Sequence, residues 1–554
     1  MDINIRIAGA AGQGVETSGD LLVEAFAKLG VHVFSTQTYM SRIRGGLNWY
    51  DVRIADTELF SGREKADLLL ALTEEAREWL RAEVSEGGVT LFNGSGQSDV
   101  IGIEFAGVAK EVGGTAIMAN TVAAGAVFGL LGYDVGMLES ELGARFEKKG
   151  AAVVEGNVAC ARRGAELAEA HAGKLQAPKG GTAPSGICSG NEAVGLGAAT
   201  AGVKLVTSYP MTPSTGVITF LAGVADKYGI VVEQAEDEIA AINMVCGATY
   251  AGAPAMTTTS GGGFALMVEG LSLAGMLELP VFIFLGQRPG PATGLPTRTA
   301  QQDLLFALHA GHGEFPRAIF APGTPQQCYD LTRHALEIAH KYQSPVILMS
   351  DQFLADVRKN CTGLDTSYRP IERHLLEDPP GDYLRYAVTE SGVSPRAIPG
   401  GKAFVVVDSD EHAEDGHITD DLSARMRLQD KRMRKLEGLI ADALPPEWYG
   451  PEEAEQVLIA WGSTYGPCRE AVDRLNGDGG SAAMAHFPQV WPLDVERVRQ
   501  LLGRGKRLLS VECNQAGQFA SVLRQVGAVA QCELMTRYDG MPFTGEEIAR
   551  RVKS

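Results

Sequence analysis

Short apolar runs of strand length recur along this chain, and most are followed by a turn rich in glycine, proline or polar side chains and then by a helical segment. The clearest runs are residues 3–8, 204–208, 255–259, 281–285 and 507–512. Strands that alternate with helices predict α/β domains with parallel sheets. Such sheets bind ligands beyond the carboxyl ends of their strands, so the turns after these runs are the candidate sites.

The alternation divides the 554 residues into three α/β blocks, 1–175, 187–365 and 451–554. Residues 176–186 are rich in Pro and Gly and lack apolar periodicity, which is typical of a linker. Residues 366–450 are polar and rich in Pro and charge. This stretch is interpreted as an extended excursion that wraps a neighbouring domain or subunit, with partial disorder as the alternative.

The overall composition argues against several classes of protein. A net charge of −19 does not suit a nucleic-acid surface, which needs clustered positive charge. No apolar run approaches the ~18 residues of a membrane span. Residues 1–6 lack the pattern of a signal peptide, so the sequence predicts a cytoplasmic protein without a membrane segment.

The eight cysteines are widely spaced, and the closest two, Cys513 and Cys532, lie 19 positions apart. Without a C-x-x-C pair, the chain has no spacing typical of a zinc site or an iron–sulfur cluster. The cysteines are interpreted as scattered buried thiols in a reducing compartment. No metal ligand is predicted in this chain.

A glycine-rich turn follows the first strand and opens a helix. Residues 9–14 read G-A-A-G-Q-G, which differs from the dinucleotide fingerprint G-x-G-x-x-G. Gly12 and Gly14 would let helix N-terminal amides approach an anion, although a tight structural turn explains them as well. Arg42 and Arg44, beside a glycine pair, suit either phosphate binding or an interface loop.

Two motifs in the second block place polar side chains directly after strands. Residues 209–213 read Y-P-M-T-P, where Thr212 can donate to a carboxylate or carbonyl; a rigid, capped turn is the alternative. Residues 236–238 read E-D-E and run into an apolar helix. Glu236 and Asp237 are explained as solvated acids at the start of a helix. Glu238 adjoins residues that must be buried, and burial raises the pKa of a carboxyl group.

Two further loops follow the next strands. Residues 258–263 read T-T-S-G-G-G, which suits a ligand or a flexible turn. Residues 287–297 read Q-R-P-G-P-A-T-G-L-P-T. Arg288 lies just beyond a strand's carboxyl end and can hold a carboxylate bidentately, with a purely structural loop as the alternative.

Taken in this order, the four motifs resemble those of the large subunit of the 2-oxoacid:ferredoxin oxidoreductase family, Y-P-x-T-P, E-D-E, T-x-S-G-G-G and Q-R-x-G-P-S-T-G-L-P-T. Ala292 stands where the family usually has Ser. Residues 12–14 and 44–46 resemble the family's gamma domain, and residues 461–464 and 512–518 resemble its transketolase-C-like domain. The resemblance covers nearly the whole chain and implies three Rossmann-like or thiamine-diphosphate-type α/β domains.

The resemblance implies a role for each motif. The second block becomes the pyrimidine-binding domain for thiamine diphosphate, in which Glu238 hydrogen-bonds the aminopyrimidine ring nitrogen and stabilises its imino tautomer. Thr212, Arg288 and Thr297 would hold the 2-oxoacid. The remaining cofactor contacts would come from other residues of these motifs, namely Tyr209, Pro210, Ser260, Gly261 and Gly262.

The resemblance also implies partners. A small beta subunit would carry the diphosphate and Mg²⁺ site and a [4Fe–4S] cluster, in an (alpha-beta)₂ assembly that uses CoA and ferredoxin. Residues 311–317 and the fused gamma block look most like the 2-oxoglutarate enzymes, with pyruvate or branched-chain 2-oxoacids as alternatives.

Two rival functions stay open. A thiamine-dependent dehydrogenase or transketolase would carry its own G-D-G…N motif, which this chain lacks. A non-catalytic nucleotide-binding or assembly protein would use only the N-terminal glycine turn.

Overall fold

The computed structural model describes residues 1–39, 46–97 and 99–554, which form 20 β-strands and 18 α-helices. The strands are β1 (Asp2–Ala10), β2 (His32–Thr38), β3 (Leu47–Ala55), β4 (Ala66–Ala71), β5 (Val84–Asn93), β6 (Val100–Ile103), β7 (Ile187–Ser189), β8 (Leu205–Ser208), β9 (Val231–Gln234), β10 (Ala255–Ser260), β11 (Phe282–Gln287), β12 (Ala318–Phe320), β13 (Val346–Asp351), β14 (Arg358–Asn360), β15 (Glu447–Tyr449), β16 (Ala454–Trp461), β17 (Ala482–Phe487), β18 (Gln489–Trp491), β19 (Gly505–Glu512) and β20 (Glu533–Thr536).

The helices are α1 (Val15–Lys28), α2 (Glu74–Leu80), α3 (Phe105–Gly113), α4 (Ala119–Leu131), α5 (Gly136–Phe146), α6 (Ala151–Glu169), α7 (Gly190–Thr200), α8 (Thr215–Tyr228), α9 (Glu238–Tyr250), α10 (Gly261–Met276), α11 (Leu304–His309), α12 (Pro325–Tyr342), α13 (Gln352–Asp356), α14 (Leu422–Ala441), α15 (Tyr465–Gly477), α16 (Val495–Leu502), α17 (Gln518–Gln525) and α18 (Gly545–Lys553).

Local sequence fixes several of these boundaries. At α12, for example, the Thr324 hydroxyl accepts a hydrogen bond from the Gln327 amide. Pro325 occupies the first turn, where a backbone N–H has no partner within the helix, so proline loses no hydrogen bond there. The chain divides into two compact units. Unit 1 comprises Met1–Ser189, Asp356–Gly363 and Thr544–Ser554, and unit 2 comprises Gly190–Ala355 and Leu364–Phe543.

Unit 1 contains an eight-stranded sheet in the order β6-β5-β4-β1-β3-β2-β14-β7. The predicted α/β class is confirmed, but this sheet differs from the parallel one expected, because β3 runs antiparallel to both β1 and β2. A buried ion pair locks the β1–β3 register, in which Arg6 lies opposite Asp51. Their closest N–O distance is 2.7 Å.

Unit 2 contains two sheets. The seven-stranded sheet has the order β18-β12-β13-β11-β10-β8-β9 and is parallel apart from its edge strand β18. The five-stranded sheet, β15-β17-β16-β19-β20, is parallel apart from β15. One hydrophobic core joins them and includes Ile283, Ile347, Trp461, Phe487 and Phe519. The larger sheet is therefore held rigidly by packing on the smaller one.

Residues 366–450 belong to unit 2, include α14 and β15, and pack on the rest of the unit through a buried ionic cluster. The Lys431 ammonium lies 2.7 Å from Glu278 Oε1, and Lys435 contacts Oε2 of the same carboxylate. Arg385 donates to the carbonyls of Leu277 and Glu278. Burial raises the pKa of Glu278, but the charges of the two lysines and of Arg385 outweigh it and hold the pKa well below its usual range.

Removing the single anion of this cluster should destabilise unit 2. Glu278→Gln leaves two buried ammonium groups without a counter-charge, which costs about 3–5 kcal/mol. The matched control is Glu455→Gln, which removes an exposed partner of Lys506 and should cost at most about 1 kcal/mol. Thermal unfolding should therefore show a much lower midpoint for the first variant. Equal midpoints for the two variants would contradict the structural role of the cluster.

Candidate active site

Four neighbouring parallel strands of the larger sheet, β11, β10, β8 and β9, bring their carboxyl ends to one edge. The four motifs of the second block follow these strands, so the fold brings them together. The Ser208 hydroxyl at the end of β8 donates to the Thr258 carbonyl on β10 at 2.7 Å, which ties two of the strand ends.

Glu238 is the first residue of α9, directly after the helix cap. Asp237 supplies the cap, since its Oδ1 accepts from the Ala240 amide at 2.8 Å. Glu238 instead turns inward and is 2% exposed. Burial raises the pKa of Glu238, as the sequence predicts. Its Oε1 is buried and has no hydrogen-bond partner among the described residues.

The glycine turn at the start of α10 lies against this carboxylate. A Cβ on Gly263 would stand 2.2 Å from both Glu238 Oε1 and Thr259 Oγ1. Only a residue without a side chain therefore leaves the carboxylate where it is. Ser260, just before the turn, is fully buried, and its hydroxyl has no hydrogen-bond partner within the described part of the chain.

A second carboxylate, Asp303, approaches the same turn from the other end. A Cβ on Gly261 would stand 2.5 Å from Asp303 Oδ2, which is also buried and has no hydrogen-bond partner among residues that the structure describes. Burial raises the pKa of Asp303 to about 6, although the charge of Arg288 opposes the rise. The sequence analysis did not identify Asp303. An acid immediately before α11 is typical of a helix cap, yet its side chain makes no capping hydrogen bond.

Arg288 follows β11 and contacts the turn after β8. Its Nη1 donates to the Thr212 carbonyl at 2.8 Å. The guanidinium is half-buried and forms no ion pair with any described residue, and burial lowers the pKa of Arg288. Thr212 is half-buried as well, so the predicted pair lies together. Thr297 is half-buried further along the same loop.

The other predicted contacts are more exposed. Tyr209 and Pro210 are exposed in the turn after β8, while Gly261 is half-buried and Gly262 exposed at the start of α10. All of them lie in segments that reach the same edge of the sheet as Glu238. Their roles toward a ligand stay predictions.

In unit 1, Gly12 and Gly14 form the turn between β1 and α1 with φ of 85° and 77°, a backbone conformation that favours glycine. They line a cavity of about 400 Å³ together with Thr17, Gln37 and Trp49. Arg42 and Arg44 lie outside the described residues. Anion or CoA binding by this group stays a prediction.

Three family models match the chain in succession. Residues 4–167 match "Pyruvate ferredoxin/flavodoxin oxidoreductase", and residues 196–431 match "Pyruvate flavodoxin/ferredoxin oxidoreductase, thiamine diP-bdg". Residues 451–549 match "Transketolase, C-terminal domain". The block that contains Glu238 and Arg288 is therefore a thiamine-diphosphate-binding domain.

Full-length relatives agree with these matches. The 2-oxoacid:ferredoxin oxidoreductase 2, subunit alpha, of Aeropyrum pernix is 31% identical, over 100% of this chain and 97% of the relative. This chain belongs to the 2-oxoacid:ferredoxin oxidoreductase family. It is of the alpha-subunit type with a fused gamma domain.

Two further members of the 2-oxoacid:ferredoxin oxidoreductase family carry more specific names. The 2-oxoglutarate oxidoreductase subunit KorA of Mycobacterium tuberculosis is 29% identical, over 100% of this chain and 91% of the relative. A solved 2-oxoglutarate:ferredoxin oxidoreductase from Magnetococcus marinus, with 2-oxoglutarate, coenzyme A and succinyl-CoA bound, has a TM-score of 0.93 and 33% identity. The match covers 100% of this chain and 99% of the solved one.

The remaining observations concern the cysteines, groups of side chains that could bind a metal ion, and helices that could cross a membrane. Six of the eight cysteines are buried. Among the described residues, no three or more His, Cys, Asp or Glu side chains are grouped to hold a metal ion. Within the same residues, no helix has both the length and the apolar character needed to cross a membrane. The cytoplasmic location stays a prediction.

The glycine turn offers a direct test of the site. Gly263→Ala should move the Glu238 carboxylate, because the new methyl group overlaps its Oε1, and a displacement of about 1 Å can lower activity about 100-fold. Gly223→Ala in α8 is the control, since Gly223 is exposed and nothing lies within 4 Å of a Cβ there. Assays of 2-oxoacid oxidation, with melting temperatures to show that both variants fold, should separate the two. Equal activities would contradict the placement of Glu238.

Proposed function

We propose that this chain is the alpha subunit of an enzyme that decarboxylates 2-oxoglutarate oxidatively to succinyl-CoA and passes electrons to ferredoxin, or runs the reverse reductive carboxylation. The observation that carries the proposal is the unpartnered Oε1 of Glu238, buried against a glycine turn at the sheet edge that Arg288 also reaches. The names of the Mycobacterium and Magnetococcus relatives support 2-oxoglutarate as the substrate. Pyruvate or a branched-chain 2-oxoacid is the alternative.

The residues at this edge fit the aminopyrimidine end of thiamine diphosphate. Glu238 Oε1 lacks a partner, and a ring nitrogen would supply one in a cradle that a Cβ at Gly263 would fill. When bound, the cofactor supplies a carbon nucleophile and an electron sink for decarboxylation. Glu238 holds a proton on its carboxyl group more readily than an exposed glutamate, so it can donate that proton to the ring nitrogen. Tyr209, Pro210, Ser260, Gly261 and Gly262 would form the surrounding walls.

Arg288 and Thr212 would hold the 2-oxoacid. Because Nη1 of Arg288 is anchored on the Thr212 carbonyl, the guanidinium keeps Nε and Nη2 for a bidentate bond to a carboxylate. Thr212 would donate its hydroxyl hydrogen to the carboxylate or carbonyl region, and Thr297 would add a second hydroxyl. The half-buried position of Arg288 strengthens its attraction for an anion.

The relatives named subunit alpha indicate that the enzyme has further subunits. We include in the proposal a small beta subunit that supplies the diphosphate and Mg²⁺ site and a [4Fe–4S] cluster. Two copies of each chain would form the cytoplasmic complex, with CoA as second substrate and ferredoxin as electron acceptor.

Anaerobic co-expression with the candidate small subunit tests the proposal. CoA-dependent viologen reduction should be strong with 2-oxoglutarate and weak with pyruvate. A preference for pyruvate would keep the mechanism and overturn the substrate. A complex that contains cluster and thiamine diphosphate but oxidises no 2-oxoacid would overturn the function and favour a non-catalytic binding or assembly role.

Arg288→Ala should raise the KM for the 2-oxoacid much more than the KM for CoA. Loss of a charge-assisted hydrogen bond of about 1.5–3 kcal/mol predicts an increase of about tenfold to 100-fold. The matched control is Arg497→Ala on the exposed face of α16, which should leave both constants unchanged. Equal increases for the two substrates would contradict a carboxylate-binding role for Arg288.

A further inference from the structure

Asp303 is held both by the end of β11 and by the helix that it precedes, whose Ala307 amide donates to the Asp303 carbonyl at 2.8 Å. Its amide donates to Gln287 Oε1 at 3.0 Å, and the neighbouring Gln302 side chain donates to the Arg288 carbonyl at 3.2 Å. Its own side chain makes no capping bond to α11 and presents a buried Oδ2 to Gly261. The backbone of Asp303 therefore starts α11, while its side chain faces the edge of the sheet.

The groups around Asp303 leave its charge nearly uncompensated. Arg288, in the loop after β11, carries a positive charge that favours the ionised form of Asp303. From α10, the first turn brings Gly261, Gly262 and Gly263, none of which titrates. From α17, the neutral Gln518 bonds to the Leu305 amide and to the Gln302 carbonyl. Glu238 lies at the far end of the same glycine turn and is an acid itself.

We propose that Asp303 is a positioning residue that couples the binding of an anionic 2-oxoacid at Arg288 to the uptake of one proton. In the free enzyme, Asp303 is ionised and interacts electrostatically with Arg288. When the substrate carboxylate binds Arg288, Asp303 takes a proton from solvent on its carboxyl group. The inference rests on the proposed function, in which Arg288 holds the substrate.

Charge balance is the physical reason. Arg288 offers one positive charge, and two carboxylates beside it in a partly buried site would leave one negative charge without compensation. Protonation of Asp303 removes that charge. Burial already raises the pKa of Asp303 to about 6 in the free protein, and a bound anion raises it further. The proton is therefore taken up on binding at pH values above about 6.

The direction in which pH changes the KM follows from the linkage between substrate binding and protonation of Asp303. Substrate binding favours protonated Asp303, so the KM for the 2-oxoacid should rise with pH between the pKa of the free enzyme and that of the complex, by up to about tenfold per pH unit. A carboxylate that only supports the loop would change stability without changing this slope.

The test is the pH profile of KM for 2-oxoglutarate, measured on the complete complex from about pH 6 to 9 with wild type and Asp303→Asn. The wild-type KM should rise with pH, and the Asp303→Asn profile should be flat, with a KM below that of wild type at the alkaline end. Asp226→Asn, on the exposed face of α8, is the control and should keep the wild-type slope. A flat wild-type profile, or an Asp303→Asn profile with the wild-type slope, would overturn the inference.

If the Asp303→Asn subunit does not assemble into the complex, a second measurement tests the inference. Calorimetric titration of 2-oxoglutarate into the complex with Glu238→Gln, in which the cofactor is bound but not activated, gives the number of protons taken up on binding when buffers of different ionisation enthalpy are compared. About one proton near pH 7–8 supports the inference; none overturns it. Failure of the proposed function is distinguishable, because the wild-type complex would then oxidise no 2-oxoacid at all.

Discussion

The burial of the Glu238 carboxylate against Gly263 is the constraint on which the candidate site in unit 2 depends. A buried carboxyl oxygen without a hydrogen-bond partner costs free energy, so a fold keeps one only where a ligand supplies the bond or where the surroundings force it. Here the core shared by the two sheets fixes the strand ends, and the first turn of α10 has no side chain that could fill the space. The stability of the core thus keeps this unpartnered carboxyl oxygen in place.

Glu278 and Arg288 show two different environments for a charged side chain in unit 2. Glu278 is matched by Lys431, Lys435 and Arg385, so its charge is compensated and it holds residues 366–450 in place. At the edge of the larger sheet, Arg288 forms no ion pair with a described residue. Charges left uncompensated in one place are typical of a site that binds charged ligands.

Much of the site was predictable from the sequence, because short apolar strands bounded by glycine or proline locate their own carboxyl ends. The run 281–285 predicts β11, found at Phe282–Gln287, and the burial of Glu238 follows from its position before an apolar helix. The antiparallel course of β3 was not predictable, because the sequence does not show that β3 pairs with β1, where Asp51 lies opposite Arg6. Asp303 was missed because an acid before a short helix has the pattern of a cap.

The exchange of the acidic thiazolium hydrogen of thiamine diphosphate with deuterated water tests the central claim most directly, because it requires neither substrate nor electron acceptor. The rate would be measured by rapid quench and NMR on the complex of this chain with its small subunit. If Glu238 activates the cofactor, exchange in Glu238→Gln should be at least about 100-fold slower than in wild type, with the cofactor still bound. Equal exchange rates in the two proteins would contradict the assignment of Glu238.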